Sequence, residues 1–425
     1  MSHIRDWDWN RGKRVISDIH QWRETYGWVE EPHASPDGES VAAIVKVDEM
    51  AFSVCENGSP WENSFDKAWF LRYGPDNQAA ALVSDTAMWT VAVAGTPWGN
   101  WFEFVWDAKF GRFDGHISVS AQKDFAYFAV TDDTPWENTF YTISHLKASP
   151  SGRSAAATVQ TKPINEADIA AFQEGCFTVA VNGQPWTQNF LNAWEIAFDA
   201  KEEHVAAEVR LSLDDYTIVV DGIPWKRHYA SVWEPKFSPA DGSVTAPVRL
   251  AGGWALARDS EIIWKNRYFQ LWHHIYSLDG SRIAAIVSPK FGRWTLAIDD
   301  KPWNLSFKDL VTDPVLSQDG RRAACVGKTD GKWTVAVDGT AWNDTYDMAW
   351  PPIFSPDGRN VAAKTEKNGI YRMVVNGRPI QTDYKTLWNP VFSPEGDKLL
   401  IRGVETGTND GKYTRTVLPL AEILE

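Results

Sequence analysis

Aromatic, hydrophobic and turn-forming residues recur along this chain with a period of about 39 residues. One marker position carries tryptophan nine times and isoleucine once: Trp22, Trp61, Trp98, Trp136, Trp186, Trp225, Trp264, Trp303, Trp342 and Ile380. An aromatic residue follows four positions later in all ten copies, and a second tryptophan follows eight positions later in seven. A fixed period of about 20 to 50 residues indicates stacked supersecondary units.

Each repeat is predicted to hold four short antiparallel strands. Turns such as the SPDG at Ser355 separate the first strand from the second. Asn-Gly or Asp-Gly pairs, as at Asn182 and Asp338, predict a tight hairpin between the third strand and the fourth. Proline precedes the marker in seven of the ten copies. Because proline lacks a backbone N–H, the fourth strand should lie at a sheet edge. No segment shows the sustained 3.6-residue periodicity of helical repeats.

Four antiparallel strands per repeat predict an all-β fold, namely a β-propeller of about ten repeats. We assign residues 14–425 to the propeller and residues 1–13 to an N-terminal extension. Residues 14–34 match only the last strand of a repeat, and residues 412–418 match a third strand whose fourth is missing. The N-terminal strand is therefore expected to complete the C-terminal blade, which removes two open sheet edges. We favour a single ring, although two smaller propellers of five repeats each would make the same count.

Tryptophan is the most unusual feature of the composition. Nineteen of the 24 tryptophans occupy repeat positions, which is typical of packing; an electron path or a ligand-stacking surface is the alternative. Trp7, Trp9 and Trp101 lie outside the repeat register and are candidates for partner binding. The one sizeable insertion, residues 161–175, is predicted to be a surface loop with a short helix, and such insertions often carry binding. It adds the candidates Asn165, Glu166 and Asp168.

Charge and cysteine usage restrict the partners and the compartment. The net charge of −14 argues against nucleic acid, because no basic stripe is present to meet phosphates. No run of 18 or more apolar residues predicts a membrane span, and the charged N-terminus lacks the apolar core of a secretory signal. Three widely spaced cysteines fit a reducing compartment. We therefore expect a cytoplasmic protein.

Known catalytic and cofactor motifs were not found. The chain has no CxxCH or CxxC pattern for haem or iron–sulfur clusters, no G-x-S-x-G and no phosphate-binding glycine loop. His273 and His274 are adjacent, and neighbours in a strand point to opposite faces, which disfavours a metal site. The first strands, as predicted at residues 352–355 and 390–393, carry no histidine and few charges. We expect no cofactor, no metal and no catalytic residue.

The repeat resembles known propeller repeats. Its SPDG turns and its PW-x-x-x-F-x-x-x-W strand are similar to those of WD40-like and TolB-like propellers, although the GH and WD dipeptides of true WD40 repeats are missing. By its length, its tryptophans and its repeated WTVAVDGxPW, the chain from Trp7 onward resembles the tryptophan-rich cytoplasmic subunits of transmembrane redox complexes of sulfate-reducing bacteria. That resemblance implies an accessory subunit of a membrane-bound electron-transfer complex in sulfate respiration. In that family the cytochrome b, iron–sulfur and multihaem cytochrome c subunits hold the cofactors.

Two functions remain as hypotheses. The first is a non-catalytic scaffold for protein–protein contacts, attached to the inner membrane only through partner subunits. The second is an enzyme or small-molecule binder that uses the central channel of a propeller. The lack of catalytic motifs favours the scaffold.

Overall fold

The computed structural model of the chain describes residues 3–164, 172–407 and 411–424. These residues belong to two compact units. The terminal unit comprises Met1–Ala42, Glu56–Ser59 and Trp264–Glu425, and the middle unit comprises Ala43–Cys55 and Pro60–Ile263. Both units are built almost entirely from antiparallel β-strands, which confirms the all-β prediction.

The elements follow one another in short four-stranded sheets. The N-terminal part has a 3-10 helix His3–Asp6, β1 (Gly12–Asp18), helix α1 (Ile19–Tyr26), β2 (His33–Ala34), β3 (Val41–Asp48), β4 (Ala51–Glu56) and β5 (Ser59–Pro60). The next two sheets are β6 (Lys67–Tyr73), β7 (Ala79–Asp85), β8 (Met88–Val93) and β9 (Thr96–Pro97), then β10 (Phe104–Phe110), β11 (Ile117–Lys123), β12 (Ala126–Thr131) and β13 (Thr134–Pro135). Three more complete the middle unit: β14 (Thr142–Ala148), β15 (Ala155–Gln160), β16 (Phe177–Val181) and β17 (Gln184–Pro185); β18 (Asn192–Phe198), β19 (Val205–Ser212), β20 (Asp215–Val220) and β21 (Ile223–Pro224); β22 (Lys236–Phe237), β23 (Val244–Leu250), β24 (Gly253–Arg258) and β25 (Glu261–Ile262).

The terminal unit continues the same pattern. Its sheets are β26 (Gln270–Tyr276), β27 (Ile283–Lys290), β28 (Arg293–Ile298) and β29 (Lys301–Pro302), then β30 (Leu310–Leu316), β31 (Ala323–Thr329), β32 (Lys332–Val337) and β33 (Thr340–Ala341). A larger sheet holds β34 (Met348–Ala349), β35 (Ile353–Phe354), β36 (Val361–Lys367), β37 (Ile370–Val375), β38 (Arg378–Pro379), β39 (Tyr384–Leu387), β40 (Val391–Phe392), β41 (Lys398–Glu405), β42 (Lys412–Pro419) and β1. Helix α2 (Leu420–Leu424) follows β42.

Cross-strand pairing explains two of the repeated aromatic positions. The residue nine positions before the marker pairs with the aromatic residue four positions after it, for example Trp89 with Phe102 and Trp333 with Tyr346. The pair Tyr371–Tyr384 is the same contact, and it joins the last two repeats into the larger sheet. Aromatic side chains that face each other stabilise antiparallel strand pairs. The two aromatic positions therefore recur in the sequence because they lie opposite each other in the fold.

The hairpin between the third and fourth strands is held by its own side chain. The Asp299 Oδ1 accepts a hydrogen bond from the Ile283 N–H (2.8 Å) at the start of the second strand, and the residue has φ +46°. The glycine of these hairpins packs against the marker tryptophan of the preceding repeat: a Cβ on Gly95 would lie 3.1 Å from Cγ of Trp61. This contact explains why a Gly and a Trp recur in register.

The N-terminal strand pairs with the C-terminal strand, as the sequence predicted. Strand β1 runs antiparallel to β42, from Gly12 opposite Val417 to Asp18 opposite Lys412. Proline-containing fourth strands such as β17 lie at the ends of their sheets, which agrees with the expectation from their missing N–H groups.

Two buried arginines fix the turn that precedes β3, and we call this contact the arginine latch. The Arg402 guanidinium donates to the carbonyl oxygens of Ser35 (2.7 Å) and Pro36 (3.0 Å). The Arg415 guanidinium donates to the Asp37 carbonyl (2.8 Å) and meets the Glu39 carboxylate (3.0 Å). The latch joins the C-terminal strands to the N-terminal part of the same unit.

Local structure differs from the prediction in two respects. The first copy of the marker, Trp22, lies in helix α1 and not in a strand, because Asp18 caps that helix by accepting from the N–H groups of His20 and Gln21. The strands predicted at residues 352–355 and 390–393 each shorten to two residues, β35 and β40, because the prolines directly before them, Pro352 and Pro390, supply no N–H to the ladder. Trp22 is nevertheless buried, as Trp136, Trp225 and Trp264 are, whereas the remaining markers are half-buried.

Candidate functional site

The two N-terminal candidates form a fixed aromatic pair in the terminal unit. The rings of Trp7 and Trp9 stack with centroids 6.2 Å apart, and the Trp9 indole donates to the Ile4 carbonyl oxygen (2.9 Å). The Asp8 carbonyl between them accepts from the buried Arg415 guanidinium (2.5 Å). Both tryptophans are half-buried. The pair is therefore anchored to β42 and presents only part of its aromatic surface.

Of the remaining candidates, Trp101 alone lies among the described residues. Trp101 is half-buried in the link between β9 and β10 and belongs to the middle unit. Asn165, Glu166 and Asp168 lie outside the described residues, so their candidacy remains a prediction from the sequence.

A set of exposed apolar residues, which the sequence reasoning missed, lies at the turns between second and third strands in the middle unit. Phe125 is 91% exposed, Met50 is 80% exposed and Leu213 is 60% exposed. In a four-stranded meander these turns share one end of the sheet, opposite to the Asp-Gly hairpins. The insertion at residues 161–175 also follows a second strand, β15, and precedes a third, β16. We call Met50, Phe125 and Leu213 the hairpin-end residues.

Each hairpin-end residue has an exposed carboxylate as its immediate neighbour. Glu49 precedes Met50, Asp124 precedes Phe125, and Asp214 follows Leu213. Phe104 and Tyr141, which are also exposed, lie near the same end, at the start of β10 and just before β14. Large exposed apolar side chains next to acidic groups suit a partner that offers apolar pockets rimmed by lysine or arginine.

The first strands of the sheets carry more charge than the sequence predicted. The prediction rested on residues 352–355 and 390–393, whereas six other first strands are seven residues long, and three of these include His145, Glu195 and His273. Each of these three residues has a positive φ, between 42° and 52°, at a bulge in its strand. A bulge inserts one extra residue into a strand, and the two short segments used for the prediction contain no such insertion.

One buried carboxyl stands out among these groups. Glu208, on β19, is 7% exposed. It is paired in the ladder with Trp194 on β18. Burial, together with the nearby carboxylates of Glu195 and Glu234, raises the pKa of Glu208 to about 8. Glu208 therefore keeps its proton at neutral pH in the folded protein. A buried, protonated carboxyl is a feature of some binding sites and some active sites.

Neither a metal-binding cluster nor a membrane-spanning helix occurs in the described residues. Across the described ranges, no group of three or more His, Cys, Asp or Glu side chains is arranged to hold a metal ion. In the same part of the chain, no helix has both the length and the apolar character that a bilayer crossing requires.

The fold and its sheets define an all-β protein made of four-stranded antiparallel units of the kind found in propeller blades. No protein-family model matches the chain, and no curated protein matches it in sequence. Among solved structures, it is similar to the Dos1 propeller, with 10% identity, 96% of this chain and 95% of that chain covered, and a TM-score of 0.35. It is also similar to TolB from Agrobacterium tumefaciens, with 19% identity, 44% and 74% covered, and a TM-score of 0.26.

A third similar structure is the propeller domain of the Trilobed protease from Pyrococcus furiosus, with 13% identity, 64% and 94% covered, and a TM-score of 0.29. At these sequence identities and TM-scores, the similarity to these structures supports no conclusion about function. The strand pairing by itself makes each four-stranded sheet an antiparallel meander, as in a propeller blade.

Proposed function

We propose that the chain is a non-catalytic β-propeller scaffold of about ten blades that binds protein partners through the hairpin-end residues of its middle unit. The observation that supports this is the exposure of Met50, Phe125 and Leu213 beside carboxylates at equivalent turns. An exposed phenylalanine gains most of its burial energy only when a partner covers it. Exposed apolar residues that are scattered singly are ordinary, so the recurrence of these three at equivalent turns of one unit is what supports a shared binding surface.

The partners we propose are the subunits of a membrane-bound electron-transfer complex. The resemblance of the tryptophan-rich repeat to subunits of the TmcD type supports a cytoplasmic accessory subunit, held at the inner membrane by a cytochrome b, an iron–sulfur protein and a multihaem cytochrome c. The scaffold itself would hold neither haem nor cluster. Its contribution would be to position those subunits relative to one another.

The test is an affinity pull-down of the tagged chain from its native membranes in mild detergent, with haem staining and mass spectrometry. The wild-type chain should recover the three cofactor-bearing subunits. A variant with Met50→Ser, Phe125→Ser and Leu213→Ser should lose them while keeping its thermal stability, because exposed positions contribute little to folding, typically within about 0.5 kcal/mol.

The matched control is Ile223→Ser, which removes an equally exposed apolar side chain in the same unit at the opposite end of its sheet. This variant should recover the partners as the wild type does. Recovery of the chain alone from membranes would refute the complex, and undiminished recovery by the triple variant would refute the surface.

A further inference from the structure

A cavity of about 330 Å³ lies in the terminal unit between two consecutive repeats. One side is formed by Asp344 and Tyr346, in the link that follows β33. The other side is one face of β36 and β37, where Thr365 is paired with Arg372 and Lys367 with Ile370. Residues paired in this way point to the same side of a sheet, so these four side chains share the cavity wall. None of the hairpin-end residues belongs to it.

The hydroxyl of Tyr346 is the unusual feature of this cavity. Tyr346 is 6% exposed, and within the described residues its hydroxyl oxygen is buried without a hydrogen-bond partner. At the same repeat position, the Tyr229 hydroxyl donates to the Ser260 carbonyl (2.7 Å) and the Tyr268 hydroxyl donates to the Asp300 carboxylate (2.9 Å).

The repeat does not need a hydroxyl at this position for packing. Phenylalanine occupies the position in five other copies: Phe65, Phe102, Phe140, Phe190 and Phe307. A buried hydroxyl without a partner is unfavourable, and a phenylalanine would avoid that cost. Burial raises the pKa of Tyr346 to about 12, with Asp344 adding to the rise, so the hydroxyl is a donor at neutral pH. Tyr346 belongs to the lining of the cavity, so a ligand there would supply the partner that its hydroxyl lacks among the described residues.

The charged groups of the lining have both signs. Asp344 contributes a carboxylate, and Lys367 and Arg372 contribute an ammonium and a guanidinium. The Arg372 Nε is also paired with the Asp383 carboxylate (2.6 Å). Ile370, Val374 and Pro379 add an apolar wall. Because Arg372 is already paired with Asp383, the charges that remain for a ligand are the Asp344 carboxylate and the Lys367 ammonium. A molecule with one carboxylate and one ammonium pairs with both, whereas a plain carboxylate leaves Asp344 without a partner in the cavity and a plain amine leaves Lys367 without one.

We propose that this cavity binds a small zwitterion, an α-amino acid with a short apolar side chain. The ligand carboxylate accepts from the Tyr346 hydroxyl and from Lys367, the ligand ammonium meets Asp344, and the side chain packs on Ile370 and Val374. The volume lies at the low end of the range of ligand pockets, roughly 300 to 1,000 Å³, which suits a ligand of this size. The inference is independent of the proposed scaffold function, because it concerns a different set of residues in the other unit.

Isothermal titration calorimetry on the full chain tests the proposal with three matched probes. L-valine carries both charged groups, isovalerate lacks the ammonium, and isobutylamine lacks the carboxylate. L-valine should bind at least about tenfold more tightly than either analogue, because a buried hydrogen bond to a charged group that is lost costs about ten- to hundredfold in affinity. Tyr346→Phe should weaken L-valine binding by a similar factor.

The matched control is Tyr268→Phe, which removes a hydroxyl that is already bonded within the protein and should leave L-valine affinity unchanged. Circular dichroism establishes that both variants fold. Equal binding of isovalerate and L-valine would overturn the assignment of a zwitterion. Unchanged L-valine affinity in Tyr346→Phe would overturn the site, and so would the absence of saturable binding by L-alanine, L-valine and L-leucine alike, which would mean that the cavity holds only water.

Discussion

Replacing Gly38 with alanine tests the arginine latch. Gly38 has φ +78°, and a Cβ at this position would lie 2.9 Å from Cγ of Arg402 and 3.2 Å from Cγ of Arg415. Neither arginine can easily move away, because the guanidinium groups are held by the carbonyl oxygens of Ser35 and Asp37. The alanine methyl group must therefore displace either the turn or the buried side chains.

The expected cost has two parts. Alanine in the left-handed region is less stable than glycine by about 1 to 2 kcal/mol, offset by about 0.4 to 1 kcal/mol from the stiffer unfolded chain. Overpacking against fixed neighbours adds about 1 to 3 kcal/mol. Gly242 closes the corresponding turn of another repeat, which is one residue longer; it has φ +72° and no atom within 4 Å of an added Cβ, so Gly242→Ala carries only the first part. We expect a loss of about 2 to 4 kcal/mol for Gly38→Ala and about 1 kcal/mol for Gly242→Ala.

Two measurements check this expectation. Urea unfolding gives the difference in stability between the two variants, and hydrogen exchange by mass spectrometry gives local opening of β1 and β42. Gly38→Ala should accelerate exchange in both strands, because the latch joins β42 to the turn that precedes β3. Equal losses of stability in the two variants, together with unchanged exchange in β1 and β42, would show that the arginines do not hold the turn.

Three further predictions have defined outcomes. In thermal denaturation, Tyr268→Phe should lose about 1 kcal/mol with its hydrogen bond, whereas Tyr346→Phe should be neutral or stabilising; the opposite order would contradict the assignment of an unpaired hydroxyl. Because the pKa of Glu208 is about 8 in the folded protein and 4.5 is the ordinary value, the folded state retains a proton between these pH values that the unfolded chain releases. Stability should therefore fall as pH rises through that window, and Glu208→Gln should flatten the dependence of Tm on pH; an unchanged slope would contradict the shift. Trp136→Ala should cost about 3 to 5 kcal/mol because Trp136 is buried, and Trp69→Ala should cost less than about 1 kcal/mol because Trp69 is exposed; similar losses in urea unfolding would contradict this distinction.

The repeat and its strands could be predicted because their signals are local. Hairpin pairs such as Asn182–Gly183 restrict the backbone by themselves, and a proline such as Pro185 removes an N–H wherever it stands. The pairing of β1 with β42 could also be predicted, because a missing fourth strand at one end and an isolated fourth strand at the other complement each other. The all-β fold follows from these features alone.

The sites could not be predicted in the same way. The apolar hairpin-end residues look like core residues in the sequence; the signal that could have found them is an apolar residue beside an acidic one at the turn after the second strand, as in Asp124–Phe125. The helix at Trp22 was missed because the cap formed by Asp18 outweighs the repeat pattern. The protonated state of Glu208 depends on burial by neighbouring strands, which no spacing in the sequence encodes.

By itself, the sequence determined the repeats that can be counted, their four strands and their turns, because these depend on backbone preferences within a few residues. It also determined the pairing of the two ends, because each end carries a strand that lacks its neighbour. Only the tertiary structure decided which tyrosine hydroxyl has a partner, which carboxyl is buried, which aromatic residues remain exposed, and how Arg402 and Arg415 hold the turn at Gly38. These properties depend on distances between residues far apart in the chain. The same residue type in the same repeat position can therefore have a bonded hydroxyl in one copy, as Tyr268 does, and one without a partner among the described residues in another, as Tyr346 does.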